Sequence, residues 1–532
     1  MKYGFVIDQD VCIGCHACTV ACKTEHEVPL WVNRTWVKYI EQGAWPDTTR
    51  SFSVLRCNHC TNAPCVSICP TKAVFKREDG IVDFDTNLCI GCKSCMQACP
   101  YDALYIDPNT HTAQKCNYCA HRTDIGLQPA CVVVCPEQAI IAGDLDDPMS
   151  SISKMVSTET LSVRAPEQET GPNLFYKGVN AAALDPAQSG TLDDSGVWRD
   201  SPSTSGSWLA VDLTPKPEGP VGNFNGDVGA PSPPIEVATN SADAPPRVVY
   251  NTDHPIPWGW KVSSYFLTKG VAAGIAVAAA AALAAGVNTE SDWMSWRAPL
   301  WAGILILLTG LLLVWDLKRP DRFLYILTKP NPGSWLVRGA WILGAQATLM
   351  GVWFLVGVLD LGPVEPLIWL SAINGLGVAG YTAFLFGQAE GRDLWQTPLL
   401  VWHMIGGALA VGGGVSLTVA LAYQTRGNAV PAFAWVMLIG SAIVGVVTVI
   451  ELMGSHPTMN AKAGFHHMTK GEFATEWWRG QLLVVVVPII TAVLILNGGT
   501  LLTGTAGALA AMAGVFWADD AFVKAGQSVP LS

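Results

Sequence analysis

The sixteen cysteines of this 532-residue chain are the residues best suited to chemistry, and all of them lie within its first 135 positions. They fall into four groups of four. The groups are Cys12-x2-Cys15-x2-Cys18-x3-Cys22, Cys57-x2-Cys60-x4-Cys65-x3-Cys69, Cys89-x2-Cys92-x2-Cys95-x3-Cys99, and Cys116-x2-Cys119-x11-Cys131-x3-Cys135. Cysteine thiolates bind zinc, copper(I) and iron–sulfur clusters, so the spacing within each group has to decide between these.

The first and third groups have the compact run in which three thiolates bind one [4Fe-4S] cubane and the fourth binds a neighbouring cubane. Disulfide frameworks are typical of short secreted chains, and no secretory signal precedes Cys12. Structural zinc sites also use cysteine pairs, but they do not need the compact run. Sixteen thiolates suffice for four cubanes, so the spacing predicts a chain of clusters that moves electrons between two sites.

The rest of the composition limits the function further. Residues 1–150 are polar, whereas the chain from about residue 260 is strongly apolar. The net charge of −11 argues against nucleic acid as a partner. The sequence has no phosphate-binding loop and no convincing G-x-G-x-x-G after a strand, so neither ATP nor NAD is an evident ligand.

Between the two halves, residues 151–254 are rich in Pro, Ser and Gly and lack helical or alternating periodicity over most of their length. One interpretation is a disordered tether. The other is an extended arm that wraps a partner or the membrane domain. The arm is slightly favoured because the segment carries aromatic residues that could anchor it. These are Phe175, Tyr176, Trp198, Trp208 and Phe224.

Residues 255–532 contain eight apolar segments near the length of about 20 residues that spans a bilayer. They cover residues 263–286, 298–315, 335–359, 366–389, 397–423, 430–453, 481–496 and 500–517. Basic residues are concentrated in the loops after the second, fourth and sixth segments, whereas the other loops offer only Arg297 and Arg426. The positive-inside rule therefore predicts a cytoplasmic location for both termini and for the cluster domain.

Polar side chains inside a membrane are costly and are candidates for function. Lys269 lies in the first segment four residues after Tyr265, His403 lies in the fifth, and Glu451 lies near the end of the sixth. Three further candidates are predicted at the cytoplasmic surface, namely Asp316, Arg319 and His456. The alternatives are a structural ion pair or snorkelling for Lys269 and Glu451, and a helix–helix hydrogen bond for His403.

A b-type haem usually needs two axial ligands, commonly histidines, and only His403 is clearly intramembrane. No haem is therefore expected, and the membrane half is predicted to bind a lipid-soluble carrier directly. In the first segment, Gly270 and Gly274 form G-x-x-x-G, and Gly412 begins a glycine triplet in the fifth. Both patterns are typical of close helix packing.

Each half carries motifs more specific than its composition. The cluster half carries Cys12-Ile13-Gly14-Cys15-His16-Ala17-Cys18, Cys57-Asn58-His59-Cys60 and Cys89-Ile90-Gly91-Cys92-Lys93-Ser94-Cys95. The membrane half carries Trp258-Gly259-Trp260, residues 316–324, residues 330–335, and Glu451 with His456-Pro457. On these motifs, residues 1–150 resemble the four-cluster electron-transfer subunits of the dimethyl sulfoxide reductase superfamily, and residues 255–532 resemble the NrfD/polysulfide reductase membrane subunits. The two subunits are normally separate chains, so this protein resembles a fusion.

The resemblance implies an α+β double ferredoxin-like iron–sulfur domain followed by an all-α membrane bundle of eight transmembrane helices. It also implies four ligand sets with exchanged cysteines. The sets are Cys12, Cys15, Cys18 with Cys135; Cys116, Cys119, Cys131 with Cys22; Cys57, Cys60, Cys65 with Cys99; and Cys89, Cys92, Cys95 with Cys69. It further implies a quinone site, either menaquinone or ubiquinone, and a separate catalytic subunit that carries molybdenum or tungsten on a pterin.

The favoured function is therefore that of a subunit, without the catalytic centre, in a respiratory oxidoreductase of a prokaryotic cytoplasmic membrane. It would carry electrons between the catalytic subunit and quinone, with the seven polar candidates above handling quinone or protons. A second hypothesis keeps the clusters but makes the partner a hydrogenase or a larger quinol-oxidising complex. A third is an ion-translocating module in which Lys269, Glu451 and Glu390 line a proton path.

Overall fold

The computed structural model describes residues 1–44, 47–188, 246–253, 255–423 and 428–532. Trp198, Trp208 and Phe224 of the predicted arm, and Arg426 of a predicted loop, lie outside these residues. Strands in the described chain are β1 (Tyr3–Asp8), β2 (Thr35–Ala44), β3 (Asp47–Arg56), β4 (Val74–Lys76), β5 (Val82–Phe84), β6 (Leu104–Ile106), β7 (Ala113–Lys115), β8 (Ile140–Asp144), β9 (Leu174–Lys177) and β10 (Arg247–Tyr250). The helices before residue 189 are Ala17–His26, Pro64–Ile68, Ser94–Ala98, Ala120–Thr123, Ala130–Val133, Ser151–Thr158 and Ala181–Leu184.

The strands of the cluster-bearing half form small sheets. Strand β1 is the centre of one three-stranded sheet, antiparallel to β8 and parallel to β9. Strand β2 is the centre of another, antiparallel to both β3 and β10. Strands β4 and β5 pair, as do β6 and β7. Because β9 and β10 come from two parts of the predicted arm, these parts pair with strands of the cluster-bearing half.

The first and third cysteine groups share one backbone conformation. Gly14 and Gly91 have φ values of 67° and 68°, and the residues two positions later, His16 and Lys93, have φ values of 59° and 65°. A Cβ on Gly14 would also lie 2.4 Å from the Phe52 ring. Glycine is thus required there both by its left-handed φ and by the available space. The repeated conformation is the local basis of the two ferredoxin-like halves.

Within the described residues, eight helices are long and apolar enough to cross a membrane. They are Trp260–Ala284, Trp293–Asp316, Trp335–Leu359, Glu365–Gly387, Leu400–Ala422, Ala429–Met453, Ala474–Leu496 and Leu501–Ser528, called here the first to eighth spans. The predicted fold class, an α+β double ferredoxin-like iron–sulfur domain followed by an all-α membrane bundle of eight transmembrane helices, is confirmed. In the apolar windows of the first and fifth spans 72% and 67% of residues are buried, against 28% and 22% in the second and third. The first and fifth spans therefore form the centre of the bundle.

Three spans are longer than the hydropathy pattern predicted. The second and seventh begin earlier, and each includes a π-helical turn, at Trp293–Arg297 and Leu482–Val486. The eighth continues to Ser528 instead of ending at residue 517. Its extension contains Asp520, which accepts a hydrogen bond from Ser263 at 2.8 Å and pairs with Lys524 at 2.6 Å. Neutralised polar groups of this kind lower the hydropathy of a sequence without ending the helix.

Candidate functional site

The described structure brings cysteines from different groups together around shared cavities. Cys12, Cys15 and Cys18 line one cavity of about 350 Å³ with Cys135 from the last group. A second cavity, of about 270 Å³, is lined by Cys22, Cys116, Cys119 and Cys131. A third, of about 370 Å³, is lined by Cys69, Cys89, Cys92 and Cys95. Each cavity thus contains four thiols, three from one group and one from another.

The remaining cysteines are Cys57, Cys60, Cys65 and Cys99, and all of them are buried. Cys60 and Cys65 both interact electrostatically with Cys57 and with Cys99, so these four thiols are also neighbours. Burial and the nearby Cys57 raise the pKa of Cys60 to about 12. A thiolate at this position therefore needs a compensating cation, which iron supplies when a cluster is bound.

The chemistry around these thiols fits iron–sulfur clusters. The amides of Gly91 and Ala113 donate to Cys89 Sγ at 3.4 and 3.3 Å, which is the kind of hydrogen bond that cluster sulfurs accept. Several buried polar atoms beside the cysteines in sequence have no hydrogen-bond partner among the described residues. They are Arg56 Nε and Nη2, both amide atoms of Asn58, His59 Nε2 and Ser94 Oγ. Buried polar groups are normally paired, and thiolate and sulfide sulfurs would provide acceptors for the donors.

The thiols are also too widely spread for a single ion. In the described ranges, no three His, Cys, Asp or Glu side chains are placed so that they could hold one metal ion. A zinc site needs four ligands at about 2.0–2.3 Å from one centre. Three thiols from one group with one from another is instead the ligand pattern of cubane clusters.

The third cavity rests against the loop that follows the second span. Lys93 Nζ lies 2.7 Å from Asp316 Oδ2, and the Arg319 amide donates to the Ile90 carbonyl at 3.2 Å. Arg322 donates to the Cys89 carbonyl at 3.1 Å. Asp316 and Arg319, two of the predicted quinone or proton residues, therefore bind the backbone and side chains of the cluster loop.

A second set of membrane-half residues holds the other side of the same cavity. Asn331 donates from its side chain to the Cys69 carbonyl at 2.8 Å. Ser334 donates to the Ile68 carbonyl at 2.7 Å, and the Trp258 indole donates to the Cys92 carbonyl at 3.3 Å. Loops of the membrane half therefore bind the backbone around Cys69, Cys89 and Cys92 of the third cavity.

Lys269 is fully buried in the first span and is held by the fourth. Its Nζ donates to Thr382 Oγ1 at 2.5 Å and to the Ala379 carbonyl at 3.1 Å, and it lies 4.5 Å from the centre of the Tyr381 ring. Tyr265 is buried one helical turn earlier and interacts with Tyr381 and Thr382. Lys269 and Tyr265 therefore share one polar environment inside the bundle.

The fifth and eighth spans bring an acid next to a histidine. His403 Nε2 lies 3.7 Å from Asp519 Oδ1, and Glu451 interacts with His403 and with Thr397. Lys269, His403 and Asp519 line one cavity of about 410 Å³ whose other walls are mainly apolar. The sequence prediction omitted Asp519. The signal that could have found it is the Asp519-Asp520 pair in an otherwise apolar stretch, directly after the predicted end of the span.

His456 lies apart from this cavity. Its ring is 4.1 Å from that of Phe465, and burial together with Lys462 lowers its pKa. Glu390, a member of the hypothetical proton path, lies in the loop after the fourth span, where burial raises its pKa. The structure thus brings four of the seven predicted residues, Tyr265, Lys269, His403 and Glu451, to one region, and positions Asp316, Arg319 and His456 elsewhere.

Cysteine-lined cavities joined to a bundle of apolar helices define a membrane-bound iron–sulfur electron-transfer protein. Family comparison agrees with this class. The family described as "Polysulphide reductase, NrfD" matches residues 248–530, a 4Fe-4S dicluster domain matches residues 49–145, and a 4Fe-4S binding domain matches residues 9–25. The chain belongs to the polysulphide reductase NrfD family, with an N-terminal [4Fe-4S] domain fused to the membrane part.

Relatives of the N-terminal part include subunits of reductases. A tetrathionate reductase subunit of Salmonella typhimurium is 43% identical over 189 residues, which is 35% of this chain and 76% of the relative. A polysulfide reductase subunit of Wolinella succinogenes is 45% identical over 177 residues, 33% of this chain and 93% of the relative. An arsenate respiratory reductase iron–sulfur subunit of a Shewanella species is 34% identical over 33% of this chain and 96% of the relative. The predicted fusion is confirmed, and the protein is a multi-pass electron-transfer subunit of an oxidoreductase complex.

Proposed function

We propose that this chain carries electrons between a separate molybdenum- or tungsten-pterin subunit and membrane quinone through four [4Fe-4S] clusters. The observation that carries the proposal is the third cavity, whose four cysteines are clamped by loops of the membrane half. A bound cubane takes up and releases one electron at a time, and its potential depends on charge, hydrogen bonds and exposure. The chain's own residues would therefore set the surroundings, and with them the potential, of each cluster.

The ligand sets proposed are those named from the resemblance. Three of them coincide with the cysteines that line the three cavities, and the fourth consists of the buried neighbours Cys57, Cys60, Cys65 and Cys99. Each set draws one cysteine from a distant group. The exchanges join the first group with the fourth and the second with the third, so each cluster is completed only when two separate segments of the chain pack together.

The quinone proposal rests on the cavity between the first, fifth and eighth spans. Lys269, His403 and Asp519 converge on this cavity, and its other walls are mainly apolar, which is the usual composition of a small-molecule site. Quinone reduction takes two electrons and two protons, so proton donors must lie beside the ring. Lys269 and His403 can supply such protons, and the Asp519 carboxylate can stabilise a protonated His403. Tyr265 is buried one helical turn before Lys269, on the side of the first span that faces the cluster half.

The segments around the first and fourth cysteine groups suit the catalytic partner. Most exposed large apolar residues of the described residues 1–188 belong to these segments. They are Val11, Ile13, Val20, Leu30, Trp31, Ile125, Leu127, Val133 and Val134. Cys15, the exposed member of the sixteen, lies among them. An apolar patch of this kind is typical of a protein interface, and here it would bring a partner's redox centre close to the first cluster.

A second candidate function is proton translocation. Lys269, Asp519 and His403 line one cavity inside the bundle and Glu451 interacts with His403, which supports this function, whereas Glu390 is not part of this group. The loop charges support a cytoplasmic position for the cluster domain and for both termini. Proton-to-electron stoichiometry in sealed vesicles tests this function separately from quinone reactivity.

The first experiment is gentle purification from the native membrane with metal analysis. About sixteen irons per chain are expected, by four per cubane, together with molybdenum or tungsten on a large partner. Nickel in the partner would move the assignment to a hydrogenase, and zinc in place of iron would overturn it. His403→Gln should then lower quinone turnover by about a hundredfold or more, the usual contribution of a positioned acid or base. Asp520→Asn is the matched control, because Asp520 pairs with Ser263 and Lys524 instead.

A further inference from the structure

Arg56 is a fully buried cation in the second cavity. It is the last residue of β3 and is 0% exposed, and it lines the cavity formed by Cys22, Cys116, Cys119 and Cys131. Its guanidinium carbon lies 4.7 Å from the centre of the Phe5 ring. The aromatic face holds one side of the guanidinium, so the other atoms are free to face the cysteines.

The polar contacts of Arg56 are incomplete without an anion in this cavity. One guanidinium nitrogen, Nη1, donates to Cys131 Sγ at 3.0 Å. The other two, Nε and Nη2, are buried and have no hydrogen-bond partner among the described residues. In the part of the chain that the structure describes, no carboxylate lies within 4.0 Å of the Arg56 guanidinium.

A buried, unpaired guanidinium is energetically prohibitive, and arginine does not escape the cost by losing its proton. The negative charge that balances Arg56 must therefore come from the cysteines that surround it. A cubane with four thiolates is anionic, and it becomes more so when it gains an electron. A fixed cation 3.0 Å from a cysteine ligand therefore stabilises the reduced form of the cluster more than the oxidised form.

We propose that Arg56 raises the reduction potential of the cluster bound by Cys22, Cys116, Cys119 and Cys131. It thereby sets where the potential of this cluster stands relative to the potentials of the other three. The inference rests on the ligand assignment proposed above. The step it affects is the uptake of one electron from the neighbouring cluster without a proton, since Arg56 stays charged throughout. Its role is to set the potential through a fixed charge and N–H groups directed at sulfur.

The other two cavities are built differently. Among the residues that the structure describes, no arginine or lysine lines the cavity of Cys12, Cys15, Cys18 and Cys135. The third cavity has Lys93, but Asp316 lies 2.7 Å from its ammonium and offsets the charge. Arg56 also acts electrostatically on Cys18, so the neighbouring cluster should feel a weaker effect in the same direction.

The test is a potentiometric titration of the purified full-length complex followed by electron paramagnetic resonance. Arg56→Met removes the charge and keeps most of the volume. We expect the midpoint potential of one cluster to fall by at least a tenfold shift in its one-electron equilibrium, which is 59 mV, with a smaller fall for one neighbour. The control is Arg164→Met, because Arg164 is also buried but donates to the carbonyls of Leu184 and Leu531. That variant should leave the potential of the cluster bound by Cys22, Cys116, Cys119 and Cys131 unchanged.

Iron content separates the two proposals. A wild-type protein with fewer than four clusters contradicts the ligand assignment, whereas four clusters with unchanged potentials in Arg56→Met overturn the role of Arg56 alone. If Arg56→Met loses one cluster, Arg56→Lys is measured, because lysine restores the charge without the planar fork. Recovery of four clusters with a potential within the tenfold shift supports the proposal. Failure of Arg56→Lys to recover the cluster overturns it, since charge would then not account for the effect.

Discussion

Replacement of Gly274 by alanine should destabilise the centre of the membrane bundle. A Cβ on Gly274 would lie 1.9 Å from the Ala408 carbonyl oxygen and 2.8 Å from the Gly412 Cα. Ordinary contacts between carbon atoms are about 3.5–4.0 Å, so the first and fifth spans would have to move apart by about 1 Å. Because these spans carry Lys269 and His403, the same movement would widen the cavity between them.

Gly270 provides the matched control, one turn earlier on the same helix. A Cβ there would lie 3.8 Å from the nearest atoms of Ala408, which is an ordinary contact. Both substitutions exchange glycine for alanine in a helix and gain up to about 1 kcal/mol in helix propensity. The difference in stability between the two variants therefore isolates the cost of the clash.

That cost should be about 1–3 kcal/mol, the usual range for forcing extra atoms into a packed interior. At about 2–4 °C per kcal/mol, the Gly274→Ala variant should unfold about 2–12 °C below Gly270→Ala. Tryptophan fluorescence of the detergent-solubilised complex during heating measures this difference. Equal midpoints for the two variants would refute the close backbone contact between the first and fifth spans.

Two further predictions concern polar groups near the boundary between the halves. Asp316→Asn should lower the free energy of unfolding of the complex by about 1–3 kcal/mol, because it leaves the buried Lys93 ammonium without its charged partner. The control is Asp321→Asn, which removes an exposed ion pair with Arg319 and should cost under about 1 kcal/mol. Chemical unfolding measures both, and equal losses would contradict the prediction. Burial raises the pKa of Glu390 above its ordinary 4.5, so the stability gained from protonation is full below pH 4.5 and is lost as the pH rises through the raised value. Glu390→Gln should accordingly be more stable than wild type at pH 7 and equally stable below pH 4.5. Thermal unfolding at several pH values measures this, and a difference in unfolding temperature that does not change with pH would argue against burial of Glu390.

The sequence by itself determined the kind of cofactor and the number of spans. Both are local properties: the compact cysteine run is contained in eleven residues, and hydropathy is summed along a single helix. The resemblance added the ligand sets, which remain predictions, although the cavities bring together the same cysteines. The hydropathy pattern placed the end of the eighth span too early, because Asp520 lowers the hydropathy although it is paired with Ser263 inside the bundle.

Only the tertiary structure decided which polar side chains meet. His403 and Asp519 are more than a hundred residues apart, and they become neighbours because the fifth and eighth spans pack side by side. Asp316 was predicted to handle quinone or protons, but the packing of the two halves pairs it with Lys93. Such contacts depend on helix rotation and on the docking of the cluster domain, which no single segment encodes, because each arises from the burial of surfaces contributed by several segments at once.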